Sequence, residues 1–268
     1  MFITSKIIYL ELQKTACTHI GALLKDYADG KKQGKHNWLK EYDTKKMIVG
    51  SIRNPWDWYV SLWAFGCGKK GGLYNRLTKR NYRVIAKNLL NFNIKLAWNE
   101  LSKPTRKWKK YYETSDNPVL FRNWMKLVYK KNRKCDLGEE YAENAISKFA
   151  GFMTYRYCKL HTKNFYKNEV SSTIKNFEQL TEFEKKNYLL DEVIYQENVE
   201  EDFIRIVEKA GHKLDKKSKE EIFEMAEKKK NISKHRDASF YYDEDTKNLV
   251  YQQEKLIIEK FGYKFPEF

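Results

Sequence analysis

Two short segments near the N-terminus constrain the fold of this chain more than any other feature. Residues 7–12 and 47–52 are apolar runs that are too short for helices, and small or polar residues follow each run. After the first run, apolar residues recur at helical spacing at Ile20, Leu23, Leu24 and Tyr27. After the second run, Pro55 occupies a first helical position, where its missing N–H costs nothing. Both segments are therefore predicted to be buried strands that lead through a turn into a helix.

Further elements continue this alternation towards the C-terminus. Residues 189–195 are predicted to form a strand, residues 202–210 a helix ended by Gly211, and residues 243–261 a helix ended by Gly262. The pattern predicts an α/β fold of three layers, with a mostly parallel sheet flanked by helices, in one domain over residues 1–268. Residues 66–134 open with several glycines and continue with mixed Arg, Lys, Trp and Tyr, which predicts a helical, basic and aromatic insertion.

The composition indicates the chemistry of the partners without choosing among them. The formal net charge of +16 favours anionic ligands such as a nucleotide, an acidic glycan, nucleic acid or a membrane surface. A general enrichment in lysine explains the charge equally well. The four cysteines have no zinc-like or CxxC spacing, and we expect reduced thiols. The chain has neither an apolar run of about 18 residues nor signal-peptide features, so the expected protein has no membrane span and is cytoplasmic.

The first turn has the residue types of a phosphate-binding loop. Its small residues allow backbone N–H groups to approach an anion, and the positive end of the following helix dipole points to the same place. Lys14 adds a full charge, and the hydroxyls of Thr15 and Thr18 add hydrogen-bond donors. The GxxxxGK[ST] pattern of nucleoside triphosphatases is absent. The predicted ligand-binding residues of this turn are Lys14, Thr15, Ala16, Cys17, Thr18 and His19.

The second turn adds a separate candidate anion site. Arg53 precedes the helix that starts at Pro55, and Ser61 follows two turns later. This spacing lets a guanidinium and a hydroxyl converge on one phosphate. The two turns together predict a nucleotide with phosphate groups at both ends.

The two turns resemble motifs of the sulfotransferases that use 3′-phosphoadenosine 5′-phosphosulfate (PAPS). Residues 14–18 are similar to the 5′-phosphosulfate loop of that family, and residues 53–61 are similar to its 3′-phosphate motif. The resemblance is greatest to carbohydrate-type and bacterial members, and it implies a P-loop-like fold, PAPS as donor, adenosine 3′,5′-bisphosphate (PAP) as product, and no metal. It also implies that Lys234 and Arg236 lie in a basic loop over the 3′-phosphate. Cys17 departs from a common glycine, and Trp58 from a common arginine.

The resemblance also implies catalytic roles. Lys14 would neutralise the oxygen between sulfur and the 5′-phosphate as that bond breaks, and a general base would take the proton of a hydroxyl acceptor. His36 is the first candidate base because it lies between the two motifs, and Glu11 and His161 are alternatives. The expected acceptor is a carbohydrate, and the basic aromatic insertion would suit an anionic glycan.

Two other functions stay open at this point. The positive charge and the aromatic middle region would also suit a nucleic-acid-binding protein. A nucleotide kinase on a related loop is a third possibility, and it would require magnesium.

Overall fold

The structure is a computed structural model that describes residues 1–39, 45–227 and 235–267. The chain forms two compact units, each made of separate stretches of sequence. The first unit comprises Met1–Asn54, Arg156–Val170 and Glu178–Ile232, and the second comprises Pro55–Tyr155, Ser171–Phe177 and Ser233–Phe268. The described part of the chain contains no helix that is both long enough and apolar enough to cross a membrane.

The first unit contains a mixed five-stranded sheet. Its strands are β1 (Phe2–Ile3), β2 (Ile7–Leu10), β3 (Lys31–Lys32), β4 (Met47–Ile52) and β5 (Glu192–Tyr195). They lie in the order β3-β1-β2-β4-β5, and β2, β4 and β5 are parallel. β1 pairs antiparallel with both β2 and β3. The α/β class and the parallel centre of the sheet are therefore confirmed, whereas the antiparallel edge was not predicted.

Helices account for most of the remaining chain. In chain order they are α1 (Cys17–Ala28), α2 (Pro55–Cys67), α3 (Gly72–Thr78), α4 (Tyr82–Leu90), α5 (Ile94–Leu101), α6 (Thr105–Lys110), α7 (Pro118–Val128), α8 (Lys134–Leu137), α9 (Phe152–His161), α10 (Asn168–Ser171), α11 (Phe177–Asn187), α12 (Val199–Lys209), α13 (Lys216–Glu227), α14 (Ala238–Tyr241), α15 (Glu244–Gln253) and α16 (Lys255–Phe261). Short 3-10 turns lie at Lys131–Arg133, Ala145–Lys148 and Gln196–Asn198. The predicted helical character of residues 66–134 is confirmed.

The core of the first unit follows from the alternation of side chains along β2 and β4. Ile7, Tyr9 and Val49 point to one face of the sheet, where they pack with apolar residues of α1 and α12. Ile8 and Leu10 point to the other face, where they pack with Ile48, Leu189 and Leu190. Because both faces of the sheet are buried here, the sequences of these two strands are almost continuously apolar.

Gly50 lies on β4 where two other segments of the first unit pack closely against the strand. A Cβ atom at this position would lie 2.4 Å from a methyl carbon of Leu190 and 3.0 Å from Nε2 of His161. A glycine is therefore required for the end of α9 and the segment before β5 to pack against β4.

The helix predicted over residues 243–261 is divided at Glu254 into α15 and α16. The buried Glu254 carboxylate accepts hydrogen bonds from the Thr154 amide at 2.7 Å, the Thr154 hydroxyl at 2.6 Å and the Tyr59 hydroxyl at 2.5 Å. It thus caps the first turn of α9 within the second unit. Burial raises the pKa of Glu254, and these hydrogen bonds oppose the rise.

Aromatic side chains form much of the core of the second unit. Trp58, Tyr59, Trp63, Phe121 and Trp124 are fully buried. Trp58 packs edge-on against Tyr59 with 4.9 Å between ring centroids. The residue at position 58 therefore has a packing role in this chain.

Candidate functional site

The loop between β2 and α1 has a strained backbone. Lys14 has a φ of 66° and Ala16 a φ of 59°, so two residues with side chains adopt the left-handed conformation on either side of Thr15. Each such residue costs about 1 kcal/mol or more. Successive peptide groups with alternating handedness direct their N–H groups into one concave surface that can hold an anion.

A chain of hydroxyl groups fixes this loop to the sheet. The Thr15 hydroxyl lies 2.7 Å from the Leu12 carbonyl oxygen and 2.6 Å from the Ser51 hydroxyl, which lies 2.6 Å from the Tyr9 hydroxyl. A carbonyl can only accept and each hydroxyl has one proton, so Tyr9 donates to Ser51, Ser51 to Thr15, and Thr15 to Leu12. The predicted donation from the Thr15 hydroxyl to a phosphate thus competes with a buried structural bond. Thr18 is exposed and is better placed for that role.

The first turn of α1 is formed by small and polar residues. Ala16 is its N-cap, and among the described residues no side chain caps this end of the helix. Cys17 is buried, and burial together with the charge of Glu11 raises the pKa of its thiol, which stays neutral at pH 7. His19, predicted to contact the ligand, lies with Nε2 2.7 Å from a carboxylate oxygen of Glu200 on α12.

Lys14 and Arg53 lie side by side although they come from different turns. Nη1 of Arg53 is 3.5 Å from the carbonyl oxygen of Lys14. The pKa of Lys14 is lowered to about 8, mainly by burial and also by the positive charge of Arg53, while Cys17 has the opposite effect. Because β2 and β4 are adjacent and parallel, their carboxyl ends place the two cations at one edge of the sheet, where α/β proteins commonly bind ligands.

Other charged groups act on the same neighbourhood. Lys35 lowers the pKa of both Cys17 and His36, which shows that the loop after β3 lies near the first turn. Arg156, a buried residue of α9, also lowers the pKa of His36. The first unit therefore brings four cations from four segments to one region, namely Lys14, Lys35, Arg53 and Arg156.

The geometry of His36 is compatible with a general base. Nδ1 lies 2.8 Å from the Glu11 carbonyl oxygen. Since that oxygen only accepts, Nδ1 carries the proton in the neutral ring and Nε2 has the free electron pair. Burial lowers the pKa of His36 below its usual 6.5; the hydrogen bond to the Glu11 backbone opposes this effect. The imidazole is therefore neutral at pH 7.

The two alternative bases have different surroundings. The Glu11 carboxylate is buried and pairs with the ammonium group of Met1. His161 is fully buried against the sheet, and burial lowers its pKa to about 4. His36 is partly exposed, whereas Glu11 and His161 are both buried.

The two residues of the second predicted motif belong to different units. Arg53 belongs to the first unit, and the amide of the next residue, Asn54, donates to the Glu197 carboxylate at 2.9 Å. Ser61 belongs to the second unit and is buried on α2. The convergence of Arg53 and Ser61 on one phosphate stays a prediction.

Of the predicted basic loop, Lys234 lies outside the described residues. Arg236 belongs to the second unit, where its guanidinium lies 4.5 Å from the centroid of the Phe240 ring and 3.9 Å from a carboxylate oxygen of Asp116. Its predicted contact with a 3′-phosphate stays a prediction.

The aromatic residues of the insertion differ sharply in exposure. Trp108 is fully buried and donates to the Asp136 carboxylate at 3.0 Å, which is a packing role. Arg80 donates to the backbone carbonyls of Leu101 and Lys103. Trp98, in contrast, is mostly exposed.

Comparisons of the chain with protein-family models, with curated proteins and with solved structures found no match. Within the described ranges, no group of three or more His, Cys, Asp and Glu side chains could hold a metal ion.

Sequence reasoning missed three residues that shape this site. Ser51 and Tyr9 were assigned only to strands, and their hydroxyls were not connected with the loop. Both occupy strand positions that face the same side of the sheet, which is a signal available from the alternation. Arg156 lies 103 residues after Arg53 and 142 residues after Lys14, and no local pattern points to it.

Proposed function

We propose that this protein is a sulfotransferase that moves a sulfuryl group from PAPS to a hydroxyl acceptor. The observation that carries the proposal is the placement of Lys14 and Arg53 together at the ends of adjacent parallel strands, beside a strained loop. Two adjacent cations repel each other, and an anion between them relieves that repulsion. The motif resemblance then specifies the anion as a nucleotide with 5′- and 3′-phosphate groups.

Each group of the site has a role under this proposal. The N–H groups of residues 15–18 and the Lys14 ammonium would hold the 5′ end of the nucleotide, and Arg53 would hold its 3′-phosphate. When bound, PAPS supplies the activated sulfuryl group. The Lys14 ammonium would stabilise the negative charge that develops on the leaving side. Nε2 of His36 would accept the proton of the acceptor hydroxyl.

The position of the lysine supports a sulfuryl transferase over a kinase. Lys14 precedes the turn, whereas in the GxxxxGK[ST] loop the lysine follows the turn and reaches the terminal phosphates. We propose a carbohydrate as the acceptor class, and the positive net charge favours an acidic glycan.

Calorimetric titration with PAP tests the proposal directly. The wild-type chain should bind PAP without added magnesium, and Arg53→Ala should weaken binding by about 2–5 kcal/mol, because it removes one partner of a charged pair. The matched control is Arg205→Ala, an exposed arginine of α12 in the same unit, which should leave PAP binding unchanged.

Three outcomes decide among the candidate functions. Transfer of labelled sulfate from PAPS to a glycan supports the proposal. Magnesium-dependent ATP turnover would establish the kinase instead. Failure of PAP to bind, combined with salt-sensitive oligonucleotide binding that Arg53→Ala does not affect, would establish a nucleic-acid-binding protein.

A further inference from the structure

The pair of helices α4 and α5 in the second unit exposes an unusual number of large apolar side chains. Leu90 is 79% exposed and Phe92 is 90% exposed. The other large apolar residues of this segment that are exposed are Tyr82, Val84, Leu89, Ile94, Trp98 and Leu101. An apolar patch of this kind on a protein surface commonly marks an interaction site.

The tip of this hairpin is a defined turn. Asn91 ends α4, and the side chain of Asn93 caps α5 by accepting from the Leu96 amide. Phe92 lies between them with a φ of 54°, a conformation that disfavours a side chain. The most exposed of the large apolar residues thus occupies a position where glycine would cost less.

The charge of the hairpin is mostly positive. α4 and α5 contain Arg83, Lys87 and Lys95, and their one acidic residue, Glu100, forms an ion pair with Lys103 at the end of the hairpin away from the turn. Lys95 and Trp98 of α5 also line an open cleft of about 750 Å³ within the second unit. Further cations of this cleft are Lys107, Lys130, Lys131 and Arg133, and the described residues that line it include no acidic side chain.

We propose that the α4–α5 hairpin is a docking surface for an anionic lipid membrane. Apolar side chains that project beside cations match the boundary between acyl chains and negatively charged headgroups. Phe92 and Leu90 enter the outer acyl region, and Lys87 and Lys95 lie at the level of the phosphates. This attachment is peripheral and requires no helix that spans the membrane.

Charge and chemistry disfavour the other occupants. A second copy of the hairpin would place Arg83, Lys87 and Lys95 against the same cations. Nucleic acid would pair with the cations, but its phosphate backbone offers nothing to aliphatic side chains such as Leu90 and Ile94. A bilayer with anionic headgroups satisfies both features.

Co-sedimentation with vesicles tests the proposal. The full chain should bind vesicles of equal parts phosphatidylcholine and phosphatidylglycerol, bind pure phosphatidylcholine far more weakly, and be released as salt increases. All seven tryptophans lie in the described part of the chain, and Trp98 alone among them is exposed. Its fluorescence emission should therefore shift to shorter wavelength when the hairpin binds the mixed vesicles.

Two sets of variants separate the apolar and the cationic contributions. Phe92→Gly should lower the partition coefficient at least about tenfold. It should not lower the unfolding temperature, since it relieves the backbone. The combined change of Arg83, Lys87 and Lys95 to Gln should lower binding to mixed vesicles about a hundredfold.

Matched controls use exposed residues of the first unit. Phe223→Ser removes an exposed ring from α13, and the combined change of Lys213, Lys216 and Lys217 to Gln removes the same charge elsewhere. Both controls should bind vesicles as the wild type does.

Four results would overturn the proposal. The first is that the wild-type chain does not bind mixed vesicles at low salt, and the second is that the hairpin variants and the control variants bind equally well. The third is a dimer that Phe92→Gly dissociates. The fourth is oligonucleotide binding that the hairpin substitutions abolish, in a protein that does not bind vesicles. The proposal is independent of the sulfotransferase proposal, because Arg53→Ala should leave vesicle binding unchanged.

Discussion

Replacing Lys14 by methionine should make the protein more stable and unable to bind its nucleotide. Methionine keeps the length and the apolar contacts of the side chain but removes the charge. The pKa of Lys14 is lowered from its usual 10.5 to about 8, and one pKa unit corresponds to about 1.36 kcal/mol. The charged lysine therefore destabilises the folded state by about 3 kcal/mol at pH 7. Solvent screening at this half-buried position reduces the expected gain to about 1–2 kcal/mol.

Urea unfolding at pH 7 and at pH 9 measures this effect. Between about pH 8 and 10.5 the unfolded chain holds a proton on Lys14 that the folded chain has released, so the free energy of unfolding of the wild type should rise with pH. Lys14→Met should lack that rise. The control Lys25→Met removes an exposed lysine from the last turn of α1 and should lower stability by less than about 1 kcal/mol.

Nucleotide affinity supplies the second half of the test. Lys14→Met should weaken PAP binding by about 2–5 kcal/mol, because the phosphate loses its charged partner. Binding to the wild type should take up protons near pH 8, since the anion restores the charge of Lys14. A Lys14→Met variant that is less stable than the wild type, or that binds PAP equally well, would refute the assignment of Lys14 as a strained anion ligand.

Three further predictions concern the loop, the base and the buried carboxylate. Thr15→Val should lower the free energy of unfolding by about 1–2 kcal/mol and weaken PAP binding. Thr15→Ser should keep the stability and the PAP affinity of the wild type, because serine re-forms the hydrogen bond to Leu12. Equal behaviour of the two variants would contradict the chain of hydroxyl groups. The kcat/KM for sulfate transfer should rise with pH through the pKa of His36, which lies below 6.5, and fall near pH 8 as Lys14 loses its proton. His36→Ala should lower kcat/KM by about a hundredfold and remove the rise at acidic pH. An unchanged kcat/KM would assign the role of general base to Glu11 or His161. Glu254→Ala should cost at least about 3 kcal/mol in urea unfolding, because it leaves several buried donors of the second unit unpaired, whereas Glu259→Ala on the exposed face of α16 should cost less than about 1 kcal/mol.

Local sequence patterns were sufficient for the central strands and for the helices that follow them. The apolar run of residues 47–52 coincides with β4, and α2 begins at Pro55 as predicted. The apolar run of residues 7–12 predicted β2, although the observed strand ends at Leu10, two residues before the end of the run. These elements follow from burial on both faces and from the fixed φ of proline, which are properties that a single segment reveals.

The remainder depends on contacts between distant residues. β1 and β3 have two residues each, so neither shows an alternation, and only pairing defines them. The helical pattern is interrupted at Glu254, whose carboxylate binds Thr154, a residue 100 positions away in sequence. The strand predicted for residues 189–195 begins only at Glu192, because Leu189 and Leu190 pack on the opposite face of the sheet. Arg156 could not be predicted from local sequence patterns either, because it is far in sequence from the other residues of the site.

The pairing of β4 with β5 has a consequence for how the protein is made. Beside these strands the Ile48 amide bonds to the Asp191 carboxylate across 143 residues of chain. A ribosome must therefore synthesise most of the second unit before the central sheet of the first can close. Until then β4 presents an unpaired edge, which is a template for aggregation, and closure across so long a loop is slow. An N-terminal fragment that ends before residue 192 should accumulate as aggregates, and slower translation over residues 55–155 should prolong the exposure of β4 and lower the yield of soluble full-length product.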